Sequence, residues 1–283
     1  MAGGQTAARL TAGCIIDALF VSELLLMGTV TGYLAGLLGI GGGMIQVPFL
    51  TILLVQHGMG SELALKTAIA TAMATIVFTS LASVRAHHAR GAVRWDIARA
   101  MAPGILAGGL VTGAGLFARI KGPTLGIVFA VFVGYSATQM LLDRKPRGSR
   151  PLPGAAALGG VGVGIGSLSS LVGAGGAFLS VPFMTWCNVP IHHAVGTSAA
   201  LGFPIALAST VGYVIGGWSL PTSMPGTVGY LYLPALAVVA TASVLMAPLG
   251  ARTAHAMNVR AFRRLFAVLL YYVAGYMAWR GFA

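Results

Sequence analysis

Two glycine clusters are the residues of this sequence best suited to binding a small anion. The first reads Gly-Ile-Gly-Gly-Gly over residues 39–43, and the second reads Gly-Ala-Gly-Gly over residues 173–176. An apolar run begins directly after each cluster, at Met44 and at Ala177. If these runs are helices, their first turns present unpaired amide N–H groups and the positive end of the helix dipole. Such helix ends bind anions, and glycine lets the backbone approach a ligand closely.

Hydroxyl and amide side chains lie just beyond both clusters and are candidate donors to substrate oxygens. Some fall inside the short runs, and others fall at the start of the next long run in each half. The alternative is that these hydroxyls cap a helix or bond back to the preceding turn. The predicted substrate-binding residues are Gly39, Gly41, Gly42, Gly43, Gln46, Thr67, Thr71, Gly173, Gly175, Gly176, Ser180, Thr197 and Ser198.

The charged residues near the clusters are few. Lys66 directly precedes Thr67, and an interfacial lysine that reaches toward water is favoured over an anion contact. The five carboxylates all lie at or near the ends of apolar runs, so coupling through a membrane-buried acid is disfavoured. These carboxylates are Asp17, Glu23, Glu62, Asp96 and Asp143.

No residue pattern indicates an enzyme, a metal site or a cofactor. The two cysteines, Cys14 and Cys187, have no metal-ligand spacing and are interpreted as packing residues. The six histidines lie mostly in the gaps between apolar runs. No buried carboxylate pair or activated nucleophile is evident within the runs, so we predict neither catalytic nor metal-binding residues.

The elements that position these residues are membrane helices. The chain is 57% hydrophobic and only 8% charged, whereas soluble domains carry roughly 25% charged residues. The net charge of +12 does not indicate a nucleic-acid partner, because the basic residues sit in short gaps.

A crossing helix needs roughly 20 residues, and the first two runs of each half are shorter. The runs fall at about 24–38, 44–56, 67–84, 100–118, 124–142, 155–172, 177–189, 194–217, 230–250 and 265–280.

Basic residues predict the orientation in the membrane. Twelve of the 17 lysines and arginines lie in gaps 85–99, 143–153 and 251–264, which we place in the cytoplasm. Gap 218–229 has no charge and is predicted to face the other side. The chain is therefore predicted to be a multi-pass protein of the bacterial inner membrane, with both termini in the periplasm.

The two halves of the chain repeat one pattern. The stretch from Gly39 to Pro48 matches that from Gly173 to Pro182 at an offset of 134, and Pro103 is paired with Pro234. An odd number of segments in each half inverts the second copy, a recurrent transporter design with its site at mid-membrane. We predict an all-α polytopic membrane protein of two inverted repeats, each of about five segments, with discontinuous or re-entrant short helices meeting near mid-membrane. The predicted boundaries are an N-terminal segment 1–23, a first repeat 24–142, a cytoplasmic linker 143–153 and a second repeat 154–283.

The duplicated motif resembles the TauE/SafE sulfite exporter family. The resemblance rests on Thr31–Gly43 followed by Val47-Pro48, and on the echo in Gly160–Pro182 and Ala194–Ser198. It extends from about Gly28 to Trp279 and implies a permease for sulfite, sulfonates or related small organic anions. In the first copy Thr67-Ala68 replaces Thr-Ser, so the two half-sites need not contribute equally. The motif residues that carry over are Gly39, Gly41, Gly42, Pro48, Gly173, Gly175, Gly176, Pro182, Thr197 and Ser198.

Export is the predicted direction. An inside-negative potential is worth about 2.3 kcal/mol per charge per 100 mV, and it drives an uncoupled anion outward. The predicted function is export of a small sulfur-containing anion such as sulfite or an organosulfonate. The alternatives are an ion-coupled importer of a related anion and a membrane scaffold that moves nothing. The expected partners are the anion and the lipid bilayer, with no nucleic acid, and pairing into a homodimer is left open.

Overall fold

The chain folds almost entirely into helices, which confirms the predicted all-α membrane class. The computed structural model describes residues 18–38, 42–142, 149–220, 224–256 and 259–282. Seven helical stretches within this part are long and apolar enough to cross a membrane. The helices are α1 (Ala18–Leu38), α2 (Gly43–Gln56), α3 (Ser61–Ala89), α4 (Trp95–Val111), α5 (Phe117–Arg119), α6 (Gly122–Leu142), α7 (Ala155–Val172), α8 (Ala177–Trp186), α9 (Ile191–Gly216), α10 (Leu233–Ala256) and α11 (Val259–Phe282).

Two short elements interrupt this helical order. A π-helical turn, Thr112–Leu116, joins α4 to α5, so that the three form one apolar stretch. A small antiparallel hairpin of β1 (Thr227–Val228) and β2 (Leu231–Tyr232) precedes α10. The hairpin occupies the end of the gap that the sequence left without charge.

Glycines hold the long helices together at close range. On α1, a Cβ added to Gly32 would overlap the backbone of Ser243 on α10. On α7, a Cβ added to Gly166 would overlap the carbonyl of Ile105 on α4. Association between membrane helices depends on such close backbone packing, because lipid is as apolar as the helix surfaces. The high glycine content therefore serves two tightly packed helix pairs as well as the two clusters.

The helix contacts of one half have counterparts in the other. Helix α1 packs on α10, and α7 packs on α4. Helix α3 packs on α10 and on α2, while α9 packs on α4 and on α8. Two pairs join corresponding helices directly, α3 with α9 and α6 with α11. Helices α3 and α9 thus lie at the centre, and each supports one of the short helices.

Each short helix returns to the side on which its pair began. The Phe20 ring at the start of α1 lies 4.1 Å from the His57 ring at the end of α2, measured between centroids. In the second half, the N–H groups of Ser149 and Arg150 donate to the Trp186 carbonyl at the end of α8, at 3.1 and 3.4 Å. The Arg150 guanidinium also stacks over the Trp186 ring at 4.7 Å. Helices α1–α2 and α7–α8 therefore form hairpins whose outer ends lie on the same side of the protein.

Two details of the sequence reading are wrong. Helix α1 begins at Ala18 rather than near residue 24, which places Glu23 inside the helix and not ahead of it. Pro103 lies in the third turn of α4, whereas Pro234 is the second residue of α10, so the two prolines do not occupy equivalent positions. The β-hairpin ahead of α10 accounts for the difference, because it delays the start of that helix.

Candidate functional site

Both glycine clusters break the helical path of the chain. Helix α1 ends at Leu38 and α2 begins at Gly43, with Gly42 before it in the left-handed region at φ 71°. Helix α7 ends at Val172 and α8 begins at Ala177, with Gly176 before it at φ 75°. A side chain strains this backbone conformation, which explains glycine at both positions. Gly39 and Gly41, which were also predicted to bind the substrate, lie outside the described residues.

The two breaks meet at the centre of the protein. A Cβ added to Gly43 would overlap the carbonyl oxygen of Gly173, so the start of α2 lies directly against the end of α7. Ile69 and Ile76 of α3 flank this contact, and both lie in the middle part of that long helix. On the other side, a Cβ added to Gly202 of α9 would lie 3.6 Å from the Gly175 carbonyl oxygen. The described glycines of both clusters are buried or half-buried.

Hydroxyl groups surround the start of α8, which we call the α8 half-site and define by Gly176, Ser180 and Ser198. The Ser180 hydroxyl lies 3.0 Å from the Gly176 carbonyl oxygen and 2.8 Å from the Ser198 hydroxyl. Both serines are buried, and they bring α8 and α9 together beside the glycine cluster. The Ser180 hydroxyl thus donates its one proton within the protein, to the preceding turn or to Ser198, and Ser198 keeps a proton to donate beside the first turn of α8.

The start of α2 has a different set of side chains. We define the α2 half-site by Gly42, Gly43 and Gln46, all of which are buried. Gln46 occupies the place that Ser180 holds in the other half, and Ala68 occupies that of Ser198. The α2 half-site therefore offers a carboxamide where the α8 half-site offers hydroxyls.

Two of the predicted threonines bond to the protein itself. Thr197 accepts a hydrogen bond of 2.9 Å from the Arg94 N–H, just before α4. Thr71 accepts one of 3.2 Å from the Tyr232 N–H, just before α10. Both hydroxyls therefore accept hydrogen bonds from the main chain of distant elements, although each keeps its own proton to donate. Thr67 is fully buried, and its hydroxyl has no hydrogen-bond partner within the described residues.

Ser169 belongs beside the α8 half-site, and sequence reasoning missed it. The residue is fully buried on α7, and its hydroxyl has no partner in the part of the chain that the structure describes. A Cβ added to Gly176 would lie 3.3 Å from the Ser169 Oγ. In the first half, Ala35 occupies the corresponding place, 3.2 Å from a Cβ added to Gly42. Only the run Ser-Leu-Ser-Ser over residues 167–170 could have drawn attention to it.

Lys66 is buried, which differs from the interfacial lysine that the sequence favoured. Its ammonium donates to the Ala118 carbonyl at 3.2 Å and pairs with the Glu62 carboxylate at the same distance. The Tyr230 ring lies 5.9 Å away, measured from Nζ to the centroid. Glu62 is half exposed, so the pair lies near the surface end of α3. Lys66 fastens α3 to the end of α5 and is engaged with protein groups.

The described residues include no group of three or more histidine, cysteine or acidic side chains that could hold a metal ion. Cys187 is free and buried, which fits its interpretation as a packing residue. Cys14 lies outside the described residues.

An apolar groove of about 500 Å³ lies apart from the glycine clusters, between α1 and α11. Leu34 lines it from α1, and Phe266 and Tyr272 line it from α11. A groove with these walls suits a lipid chain better than a hydrated anion. The residues that line this groove include none of the predicted site residues that the structure describes.

Comparison with known proteins agrees with this architecture. The family model described as "Sulfite exporter TauE/SafE" matches residues 24–277. This chain belongs to the TauE/SafE family. Its relatives include a probable membrane transporter protein of Haemophilus influenzae, 34% identical over 90% of this chain and 97% of the relative. Another relative, a probable membrane transporter protein of Methanocaldococcus jannaschii, is 23% identical over 89% of this chain and 93% of its own length.

Membership of the TauE/SafE family and the names of the relatives indicate a membrane transporter. A probable membrane transporter protein of Bacillus subtilis, YdhB, is 26% identical over 69% of this chain and 79% of its own length. No solved structure matches the chain. With its apolar helices and these relatives, the protein is a multi-pass membrane transporter that handles small substrates.

Proposed function

We propose that this transporter exports a small sulfur-containing oxyanion, such as sulfite or an organosulfonate. The observation that carries the proposal is the meeting of two buried glycine breaks at the centre of the bundle, each followed by a helix N-terminus. The name of the matching family, a sulfite exporter, supports this substrate class. The residues proposed to bind the anion are those predicted from the sequence.

A site of neutral donors suits an anion that must be released again. The N–H groups of Ile45 and Gln46 bond to the Gly42 carbonyl, and the first amides of α2, before Ile45, have no partner among the described residues. The same pattern holds at Gly176, whose carbonyl accepts from Leu179 and Ser180. Two helix ends contribute partial positive charge without a fixed cation, so the anion is attracted but not held by a full ion pair.

An inverted duplication accounts for how two similar helix ends come to share one centre. The matched helix contacts of the two halves, described above, support two repeats over 24–142 and 154–283. The basic gaps support a cytoplasmic position for the linker 143–153 and a periplasmic position for both termini. In this orientation the β-hairpin faces the periplasm of a bacterial inner membrane.

Flux measurements in sealed proteoliposomes test the function. We expect wild-type protein to move ³⁵S-labelled sulfite or methanesulfonate toward the positive side of an imposed potential. Gly42→Leu and Gly176→Leu should abolish this flux, because each adds a side chain at a strained, crowded backbone position. Gly164→Leu is the matched control, since a Cβ at Gly164 of α7 has open space around it.

Two outcomes would contradict the proposal. If wild-type protein moves neither anion faster than the Gly176→Leu variant, the substrate assignment is wrong. If flux follows a proton or sodium gradient and ignores the potential, the uncoupled export mechanism is wrong.

Glu23 favours proton-coupled import as a second candidate. The residue lies inside α1, and one carboxylate oxygen is buried without a hydrogen-bond partner among the described residues. Acidic groups within membrane helices are costly and frequently serve ion or proton pathways. Under this candidate, a pH gradient drives anion uptake, and Glu23→Gln removes the response to the gradient while leaving exchange of the anion at equal pH. An unchanged response in Glu23→Gln would eliminate it.

A further inference from the structure

The two half-sites share a backbone but differ at the side chains that face it. Beside the N-terminal glycine of the short helix stands Ala35 in one half and Ser169 in the other. The other two differences, at Gln46 and at Ala68, were described above. At all three places the α8 half-site has a hydroxyl, and the α2 half-site does not.

Ser169 differs from its neighbours in what its hydroxyl does. Buried serines in helices usually bond to a carbonyl in the preceding turn. Ser170 does so with the Gly166 carbonyl at 2.8 Å, and it also lies 2.5 Å from the Ser209 hydroxyl. The Ser169 hydroxyl makes no such bond within the described residues and lies beside Gly176 instead. Buried polar groups without a partner are rare, so this one calls for a specific explanation.

We propose that Ser169 is a further substrate-contacting residue and that the α8 half-site holds the charged oxygens of the transported anion. This inference rests on the proposed function and assigns unequal roles to its two half-sites. Ser169 then supplies a hydroxyl donor beside the first amides of α8, and Ser198 can add a second, because it accepts the Ser180 proton and keeps its own. The α2 half-site, with Ala35 and Ala68, receives the less charged part of the substrate, and Gln46 is its polar contact.

The arrangement has a chemical consequence for substrate choice. An anion with charged oxygens at one end and an uncharged group at the other fits two unequal half-sites in a single orientation. Methanesulfonate has this shape, whereas sulfite has oxygens and a lone pair around one sulfur. The proposal therefore predicts that Ser169 contributes to the binding of both anions through the sulfur-bound oxygens that they share.

Thiol labelling tests the position of Ser169 without requiring transport. We would place Ser169→Cys in a variant with Cys14→Ser and Cys187→Ser, and expose it in liposomes to two methanethiosulfonate reagents. One reagent carries a sulfonate and the other a trimethylammonium group. The expected result is modification at least tenfold faster by the anionic reagent, and protection by methanesulfonate, which does not react with methanethiosulfonates as sulfite does. Ser136→Cys on α6 is the matched control, because Ser136 is equally buried and bonds within its own helix at 2.9 Å.

Transport kinetics test the role of the hydroxyl. Ser169→Ala should raise the KM for sulfite and for methanesulfonate by roughly tenfold, the effect of losing one hydrogen bond to a charged group. Ser136→Ala should leave both values within about twofold of wild type. Ala35→Ser adds a hydroxyl to the other half-site, and it should not lower the KM for methanesulfonate.

The outcomes separate this inference from the proposed function. If wild-type protein transports and Ser169→Ala matches it, or if Ser169→Cys reacts no faster than Ser136→Cys, then Ser169 is only a packing residue and the inference fails. If wild-type protein transports neither anion but Ser169→Cys reacts selectively with the anionic reagent, the anion site stands and the substrate assignment falls.

Discussion

The α2 and α8 half-sites have the same backbone conformation but present different polar side chains. In both, a buried helix ends, a glycine adopts a left-handed conformation, and a short helix starts at the centre of the bundle. The side chains then diverge, to a carboxamide beside alanines in one and to serine hydroxyls in the other. Both halves thus keep a left-handed glycine before the short helix, while the side chains that would select the substrate differ.

The two central helices differ in the same manner. At the equivalent place near their starts, α3 has the buried Lys66, and α9 has Gly196 packed against the Ala92 backbone. The Thr197 hydroxyl accepts a hydrogen bond from the Arg94 N–H just before α4, whereas the Thr67 hydroxyl has no hydrogen-bond partner among the described residues. One half is therefore fastened by an ion pair and the other by close backbone packing. Substitutions can show which of these differences affect the stability of the protein and which affect substrate binding.

Gly43→Ala should have the largest effect. The new Cβ would overlap the Gly173 carbonyl, a rigid backbone group, so the two breaks would have to move apart. We expect a loss of about 3 kcal/mol in the free energy of unfolding. Thermal unfolding in detergent measures it. Gly164→Ala, in open space on α7, should be neutral or stabilising, and equal melting temperatures for the two variants would show that the central contact is not tight.

Lys66→Met should have the next largest effect. The change removes the ammonium that pairs with Glu62 and donates to the part-buried Ala118 carbonyl, which then lacks this donor. Because Glu62 is 53% exposed and can be solvated, we expect a loss of about 2 kcal/mol rather than the full cost of breaking a buried pair. Chemical unfolding in detergent would report it. If Lys66→Met keeps its stability but loses anion flux, Lys66 is a substrate contact after all.

Substitution of Thr197 and of Thr67 should have smaller effects on the free energy of unfolding, and the two effects should differ from each other. Thr197→Val leaves the Arg94 N–H without its partner, so we expect a loss of about 1.5 kcal/mol. Thr67→Val removes a hydroxyl that has no partner within the described residues, and stability should stay within about 0.5 kcal/mol. Parallel unfolding curves would compare them. A raised KM in Thr67→Val at unchanged stability would assign Thr67 to the substrate, whereas equal destabilisation of both variants would contradict the contrast.

Asp96→Asn should have the smallest effect. Its carboxylate pairs with Arg94 at 2.5 Å, but both side chains are exposed to water, where such pairs contribute little. We expect a change below about 0.5 kcal/mol and no change in flux. A loss comparable to that of Thr197→Val would mean that the Arg94 side chain, and not only its N–H, positions the start of α4.

Much of the fold followed from simple patterns. Apolar runs and glycine clusters predicted the long helices and both breaks, because lipid demands continuous helices except where protein satisfies the backbone. The start of α1 was missed because Glu23 looked like a boundary, although one buried acid does not end a helix. Pro103 was paired with Pro234 because the β-hairpin before α10 could not be recognised from hydropathy, so the start of α10 was placed too early.

The site was harder to read than the fold. The glycines were found because their spacing is repeated, but Ser169 has no repeated partner: its counterpart is Ala35. The roles of Thr71 and Thr197 depended on which N–H groups approach them from distant helices, at Tyr232 and Arg94. Such contacts arise only when α4 and α10 are in place, and a linear sequence does not specify them.

The contact between Gly43 and Gly173 bears on the speed of the protein. While these two stretches of main chain touch, an ion has no direct route between them. Every crossing then requires the halves to part and rejoin, and collective motions of this kind take microseconds to milliseconds. We therefore expect slow, stepwise turnover in place of the steady picoampere currents of a channel in a planar bilayer.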